Sequence, residues 1–267
     1  MPELPEVEVY RRYVERHALR KSVTGVSVLD ARILGDLTPR ALNRGLAGRQ
    51  FLGTHRHGKH LFVATDGGPW LYLHFGMSGD IFYYRGKRDR PRFARVLVRF
   101  SDSSELAYDD MRLFGVVDLV DDPGTFIEER GLGPDPLDRK FTLPVFRRIL
   151  AGRKGAIKSL LMSQQIVAGL GNLYVDEILF RTAVHPQTAA DLLTAADVAR
   201  VFRAIRPLLL KMIIIREAGA PNPPRSLISH REEGERCPLC GGEIRRTVVF
   251  GRTTYFCGNH QRLVRHR

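Results

Sequence analysis

The stretch CPLCGGEIRRTVVFGRTTYFCGNH, residues 237–260, anchors the reading of the chain. Its cysteines and histidine follow the pattern C-x2-C-x16-C-x2-H, which groups Cys237, Cys240, Cys257 and His260 into two short chelating pairs. Tetrahedral zinc takes four such ligands. Between the pairs run two β-rich segments around Phe250-Gly251-Arg252, a pattern that predicts a β-hairpin with the metal clamping its ends. The protein fills all four positions, so the predicted metal is one structural Zn2+ with no open site for a reactive water. A hairpin this short depends on its metal to fold. The three cysteines are odd in number and confined to the last 31 residues, which argues against a disulfide framework. A redox CxxC beside an unrelated cysteine and histidine is the alternative reading, and His266 is the next candidate for the fourth ligand.

Upstream of this hairpin, residues 218–236 (AGAPNPPRSLISHREEGER) read as a loop and residues 141–217 as helical. Helices are predicted at 143–151, 155–163, 172–181 and 195–217, the last with Thr194 as N-cap. Ala168-Gly169-Leu170-Gly171 permits tight turns and Asn172 can cap the following helix, giving a helix–two-turns–helix whose exposed helix start suits a phosphate. Residues 122–140 are rich in Gly, Pro and acids and read as a linker. Before them, residues 3–19 carry apolar positions at near-helical spacing, with Pro2 and Pro5 tolerated in the first turn. Short β-like runs follow at 24–30, 50–56, 60–65, 70–75, 80–84, 94–100, 105–108 and 114–120, interrupted by a helical insert near 38–47. Runs at this spacing predict a β-sandwich or flattened barrel. The expected fold class is therefore α+β in two domains: an N-terminal helix plus β-sandwich (1–121), then a helical domain (141–217), a loop (218–236) and a zinc hairpin (237–262).

Charge narrows the partner. Lys and Arg number 42 against 29 Asp and Glu, a formal charge of +13. The excess recurs along the chain, at 11–21, 85–99, 139–158 and 245–267, and points to a polyanion, most often nucleic acid. No apolar stretch approaches the roughly 20 residues of a membrane span, and the acidic, Pro-punctuated start is no signal peptide. A cytoplasmic, nucleoid-associated protein with no membrane partner is the expectation.

Pro2 is a candidate for the chemistry, although Met-Pro starts are common and proline at a helix start is a usual structural choice. Once Met1 is removed, Pro2 presents a secondary α-amine that is partly neutral at physiological pH. Such an amine attacks a carbonyl-type carbon to form an iminium, which is covalent catalysis with an electron sink. Glu3 beside it is a candidate general acid or base.

MPELPEVE (1–8), GKHLF (58–62), HFGMSG (74–79), DDMRLFG (109–115), GLGNLYVDE (169–177) and GRTTYFC (251–257) occur in this order. Together they resemble the formamidopyrimidine-DNA glycosylase and endonuclease VIII family of bifunctional base-excision repair enzymes, over nearly the whole chain. The resemblance implies a DNA glycosylase/AP lyase binding damaged double-stranded DNA as a monomer, in a basic cleft between its domains. Pro2 would attack C1′ of the damaged nucleotide, expel the base and form a Schiff base, and β-elimination, with δ-elimination able to follow, would nick the strand. The catalytic set implied is Pro2, Glu3, Lys59, Glu177 and Arg252, with Glu3 handling protons, Lys59 neutralising a phosphate, Glu177 supporting the reaction centre and Arg252 gripping a phosphate beside the lesion. The DNA-binding set implied is His74, Met77, Arg112, Phe114, Lys154 and Asn172. A base in a stacked duplex must be flipped out to be reached. Met77, Arg112 and Phe114 suit the vacated space as an adaptable wedge, a partner for the orphaned base edge and a stacking ring.

The chain departs from the family pattern in three places. His260 stands where a fourth cysteine is usual. No histidine lies in 85–100, where Arg92 and Arg95 are the substitutes at hand. Residues 218–236 are shorter than the loop that caps a flipped purine in 8-oxoguanine-specific members, which puts that lesion in doubt. The rival reading is a non-catalytic DNA- or RNA-binding zinc protein that kept the fold; intact Pro2, Glu3 and Lys59 argue against it.

Overall fold

Eight strands, β1 (Val23–Val28), β2 (Phe51–His57), β3 (His60–Thr65), β4 (Trp70–His74), β5 (Gly79–Arg85), β6 (Ala94–Phe100), β7 (Ser104–Asp110) and β8 (Val116–Val120), pair into two antiparallel sheets of order β1-β6-β7-β5 and β2-β3-β4-β8. They belong to a computed structural model that describes residues 1–264. Period-two alternation turns Leu71, Leu73, Val96, Val98, Leu106 and Val117 of the two sheets into one shared core, which makes a β-sandwich. On β7 the same alternation puts Asp110 on the inward face with Leu106 and Tyr108.

Helix α1 (Leu4–Ala18) covers this core with Val7, Val14 and Ala18, spaced seven and four apart. Each valine so buried contributes about 1.5–3 kcal/mol. Pro5 sits in the first turn, where the amide it lacks has no helical acceptor. The predicted insert is helix α2 (Pro39–Leu46), capped by Thr38 Oγ1 on the Ala41 amide at 3.2 Å.

The stretch 122–140, expected to be a linker, begins with helix α3 (Pro123–Glu129). Asp122 Oδ1 caps it by accepting from Thr125 N at 2.8 Å, and Phe126 packs on Phe62 and Tyr72 of the sandwich. The acidic, Pro-containing pattern that suggested a linker is here an N-cap and first turn. The first unit accordingly runs Met1–Gly131 and the second Leu132–Arg267.

The second unit is helical, with α4 (Leu143–Leu150), α5 (Ile157–Met162), α6 (Asn172–Arg181) and α7 (Ala195–Glu217) close to their predicted spans. Thr194 caps α7 as expected: its Oγ1 accepts from Asp197 N and Asp197 Oδ2 accepts from Thr194 N, each at 3.1 Å. Gly171, rather than Asn172, is the N-cap of α6, and Asn172 is its first helical residue. The turns between α5 and α6 are clamped by Gln164, whose Oε1 accepts from Gly169 N at 2.9 Å and whose Nε2 donates to Leu170 O at 2.8 Å.

Strands β9 (Ile244–Val249) and β10 (Arg252–Cys257) form the predicted hairpin. Its two-residue turn, Phe250-Gly251, has φ of 50° and 68°, the left-handed pair that a tight hairpin of the right twist requires. The 218–236 segment is tied down: Leu227 is buried with Phe180, Cys237, Ile244 and Cys257.

Candidate active site and nucleic-acid-binding residues

In the first unit, two turns are tied to α1. Pro2 and Glu3 are buried, whereas Met1 is 51% exposed. Glu3 begins the helix, its amide donating to Glu6 Oε2 at 3.0 Å. Two turns on, Glu8 accepts from Arg56 Nε at 3.0 Å, and Arg56 Nη1 donates to Gly58 O at 3.1 Å. Arg56 thereby fixes the Gly58-Lys59 turn joining β2 and β3 against α1. Burial pushes the Glu8 carboxyl up, but hydrogen bonds and charge from Arg11 and Arg56 outweigh it and hold the group at about 2. Tyr10 packs on Phe75 with tilted rings, centroids 4.5 Å apart, and donates to Gly79 O at 3.4 Å, which ties α1 to the turn carrying Met77.

His74 and His60 lie beside Lys59, their rings 5.2 Å apart. Burial pushes His74 down to about 4, and the charges of Lys59 and Arg130 act in the same direction. His60 falls to about 3 for the same first reason, with His74, Arg130, His57 and Lys59 adding to it. Both imidazoles are therefore neutral at pH 7. His74 Nδ1 accepts from Gly76 N at 3.3 Å, which leaves its proton on Nε2.

Met77 and the Arg112/Phe114 pair lie on two turns that are fastened together. A Cβ on Gly76, at φ 51°, would meet the Phe114 carbonyl carbon at 2.3 Å, so only glycine lets the backbones approach this closely. Asp110 joins the same turns from within. It accepts from Ser78 Oγ at 2.5 Å, Arg112 N at 3.1 Å and Gly115 N at 2.8 Å. Tyr108 OH adds a bond to His74 O at 2.8 Å. With the backbone held this way, Met77 and Phe114 stay 38% and 55% exposed, and Arg112 lies 5.0 Å over the Phe114 ring. Apolar side chains this exposed on a braced backbone are not core residues. Neither Asp110 nor Ser78 was expected from sequence.

Arg95 is occupied elsewhere: Nε donates to Asp110 O at 2.8 Å and Nη1 pairs with Asp30 at 3.4 Å. Of the two arginines expected to replace a histidine in 85–100, Arg92 is the exposed one.

In the second unit the predicted metal ligands converge. The ligand atoms of Cys237, Cys240, Cys257 and His260 all lie within 4.8 Å of one another. Cys240 Sγ is 3.5 Å from Cys257 Sγ and 3.4 Å from His260 Nδ1, and Cys237 Sγ is 3.7 Å from that nitrogen. A tetrahedron with ~2.3 Å metal–sulfur bonds has edges of about 3.7 Å, so the group fits a zinc-sized ion. His260 Nε2 lies 3.2 Å from Phe180 O, an acceptor that places the proton there and leaves Nδ1 free to ligate. His266, the alternative ligand, lies outside the described residues.

Arg252 opens β10 and is exposed, beside a Phe250 that is 82% exposed and that the fold itself does not use. Asn172 Nδ2 donates to Thr253 O at 3.0 Å, which brings the start of α6 to the hairpin. Lys154 is exposed in the turn before α5. Glu177 is fully buried: Oε1 accepts from Arg181 Nε at 2.5 Å and Oε2 from Ile228 N at 3.0 Å. Burial pushes its carboxyl up while Arg181 opposes the shift. It holds the 227–229 turn, and any support it lends a reaction runs through that turn.

The N-terminal domain model of formamidopyrimidine-DNA glycosylase matches residues 1–117, and the helix–two-turns–helix (H2TH) domain model of the same enzyme matches residues 132–221. The formamidopyrimidine-DNA glycosylase of Pelotomaculum thermopropionicum is 34% identical over 98% of this chain and 100% of its own. That of Symbiobacterium thermophilum is 36% identical over 96% and 88%. Among solved structures, the Lactococcus lactis enzyme bound non-covalently to DNA containing an AP site matches with a TM-score of 0.87 and 29% identity, over 97% of this chain and 99% of that one. The same enzyme with DNA containing N7-benzyl-Fapy-dG gives the same values. With both units matched in order and relatives aligned from end to end, the chain belongs to the formamidopyrimidine-DNA glycosylase family.

Proposed function

We propose that the chain is a bifunctional DNA glycosylase/AP lyase of base-excision repair that removes oxidised bases from duplex DNA through a Schiff base on Pro2. The observation that carries the reading is the buried Pro2-Glu3 pair at the head of α1, reached from the Gly58-Lys59 turn through Glu8 and Arg56. With Met1 removed, the Pro2 nitrogen attacks C1′ and the base leaves. Glu3 moves the protons of base release and sugar-ring opening. The iminium acidifies the C2′ hydrogen, elimination breaks the C3′–O bond, and Lys59 stabilises the departing phosphate. His74, a neutral Nε2–H donor, and Asn172, Lys154 and Arg252 take further phosphates. Met77 and Phe114 fill the space left by the flipped base, and Arg112 bonds the orphaned partner. Glu177 keeps the 227–229 turn in place.

Zinc is the metal we assign to Cys237, Cys240, Cys257 and His260, where it closes the hairpin that presents Arg252 and takes no part in bond cleavage. The enzyme acts as a monomer in the cytoplasm, on the nucleoid. Borohydride added during reaction with an abasic-site duplex tests the central claim. Reduction of the iminium leaves protein covalently joined to DNA, and mass spectrometry places the adduct on Pro2. Glu3→Gln loses base excision but keeps much of the trapping on a pre-formed abasic site. An adduct on Lys59 reverses the two roles, and DNA binding with no adduct at all leaves the non-enzymatic reading in its place.

A further inference from the structure

Lys158 on α5 and Asp176 on α6 are both fully buried, and they pair at 2.7 Å. Asp176 also pairs with Arg231 of the 218–236 segment at 2.9 Å, and it accepts from the Tyr255 amide of β10 at 3.3 Å. Lys158 Nζ donates to Thr254 Oγ1 at 2.7 Å, and Asn172, one turn before Asp176, donates to Thr253 O at 3.0 Å. Residues 253–255 are thus each held from α5 or α6, and they follow directly on Arg252. The Arg252 guanidinium has no hydrogen bond or ion pair of its own among the described residues, so the backbone of β10 alone fixes the point and the face from which it reaches out. Burial pushes the Asp176 carboxyl up, and the two cations pull it back.

A buried ion pair adds little to stability over an apolar pair of the same size. What its two members supply is direction: the bonds of Lys158 to Thr254 Oγ1 and of the Tyr255 amide to Asp176 admit one register of β10 on α5 and α6, where an apolar contact could slide. Cys257, a candidate metal ligand, closes the strand, Asp176 holds Tyr255 within it, and Lys158, paired with Asp176, holds Thr254 two residues after Arg252. We infer that Asp176 is a positioning residue for DNA binding, aiming Arg252 through Lys158, Arg231 and the β10 backbone. The inference rests on the assignment of Arg252 as a phosphate contact.

The test is a double-mutant cycle on the zinc-loaded full chain, using a duplex that contains a tetrahydrofuran abasic analogue for binding and a natural abasic site for turnover. Asp176→Asn keeps the shape and removes the charge. It raises Kd and KM roughly tenfold, while zinc content and kcat at saturating DNA stay at wild-type values. In an Arg252→Ala background the same change has no further effect on Kd. The triple replacement Lys158→Met, Asp176→Leu and Arg231→Met removes all three charges of the cluster; with folding checked by circular dichroism and zinc content, it shows the same loss of affinity. Additive losses in the cycle, or a wild-type Kd in the folded triple variant, overturn the inference while leaving Arg252 as a contact. If Arg252→Ala alone binds like wild type, the assignment of Arg252 fails, and the inference falls with it.

Discussion

Replacing Asp110 loosens both wedge-bearing turns at once. In Asp110→Ala, Ser78 Oγ–H and the buried Gly115 N–H lose the acceptor they share, whereas the Arg112 amide keeps Ser78 Oγ at 3.1 Å. The buried Gly115 donor left without a partner costs about 1–3 kcal/mol and the half-buried Ser78 hydroxyl adds less, so the expected loss is about 3 kcal/mol. For a unit of this size that lowers Tm by roughly 10–20 °C. Asp110→Asn costs less, because one oxygen remains, but its amide group faces a donor it cannot pair with. Thermal melting followed by near-UV circular dichroism measures the first effect. The second is read by single-turnover cutting of one lesion placed opposite each of the four bases. With the turn around Arg112 loosened, Asp110→Asn flattens the opposite-base preference more than it slows cutting of a pre-formed abasic site. A Tm within about 2 °C of wild type for Asp110→Ala, or an equal loss on every duplex, refutes the reasoning.

Three further outcomes are expected. If about five phosphates are contacted, log K falls with log salt at a slope near −4.5, and Arg252→Ala flattens it by about one unit, as titrations at several salt concentrations will show. Purified protein carries one zinc per chain by elemental analysis, and His260→Ala loses metal and DNA affinity while the sandwich unit still melts cooperatively; full zinc in that variant moves the fourth ligand elsewhere. Glu8 sits at about 2 in the folded chain against 4.5 unperturbed. Its contribution is therefore present above 4.5 and lost as pH falls toward 2, and after solvent screening it is about 1–2 kcal/mol. Melting at pH 5 and pH 3 should destabilise wild type more than Glu8→Gln.

Elements whose period repeats locally were legible in the sequence. β6, β7 and α7 lie within two residues of their predicted bounds because alternation or a cap residue marks them. The Cys3His group that could hold a metal was legible for a related reason: two of its distances are fixed by short chelating spacers. Asp110 could have been found, since an acid at an inward position of a strand signals an internal bond. Lys158 carries a similar signal, a lysine flanked by Ile157 and Leu161 on a helix. Their partners could not be found this way. Lys158 meets Thr254, 96 residues along, and Arg56 meets Glu8, 48 residues back, and no local pattern encodes such pairings. Helix α3 was missed because its proline and acids serve equally well as a loop or as a cap and first turn.

The fourth ligand has a chemical consequence for an enzyme that handles oxidative damage. A thiolate oxidised to sulfenic or sulfinic acid no longer holds zinc well, and an imidazole is not oxidised on that ladder. With His260 in place, three positions instead of four can fail by oxidation, and of these Cys237 and Cys257 are buried while Cys240 is exposed. The hairpin's tolerance of oxidants then rests on one accessible sulfur. The oxidising conditions that create the lesions first threaten the grip on DNA at Cys240, in a unit separate from the one carrying Pro2.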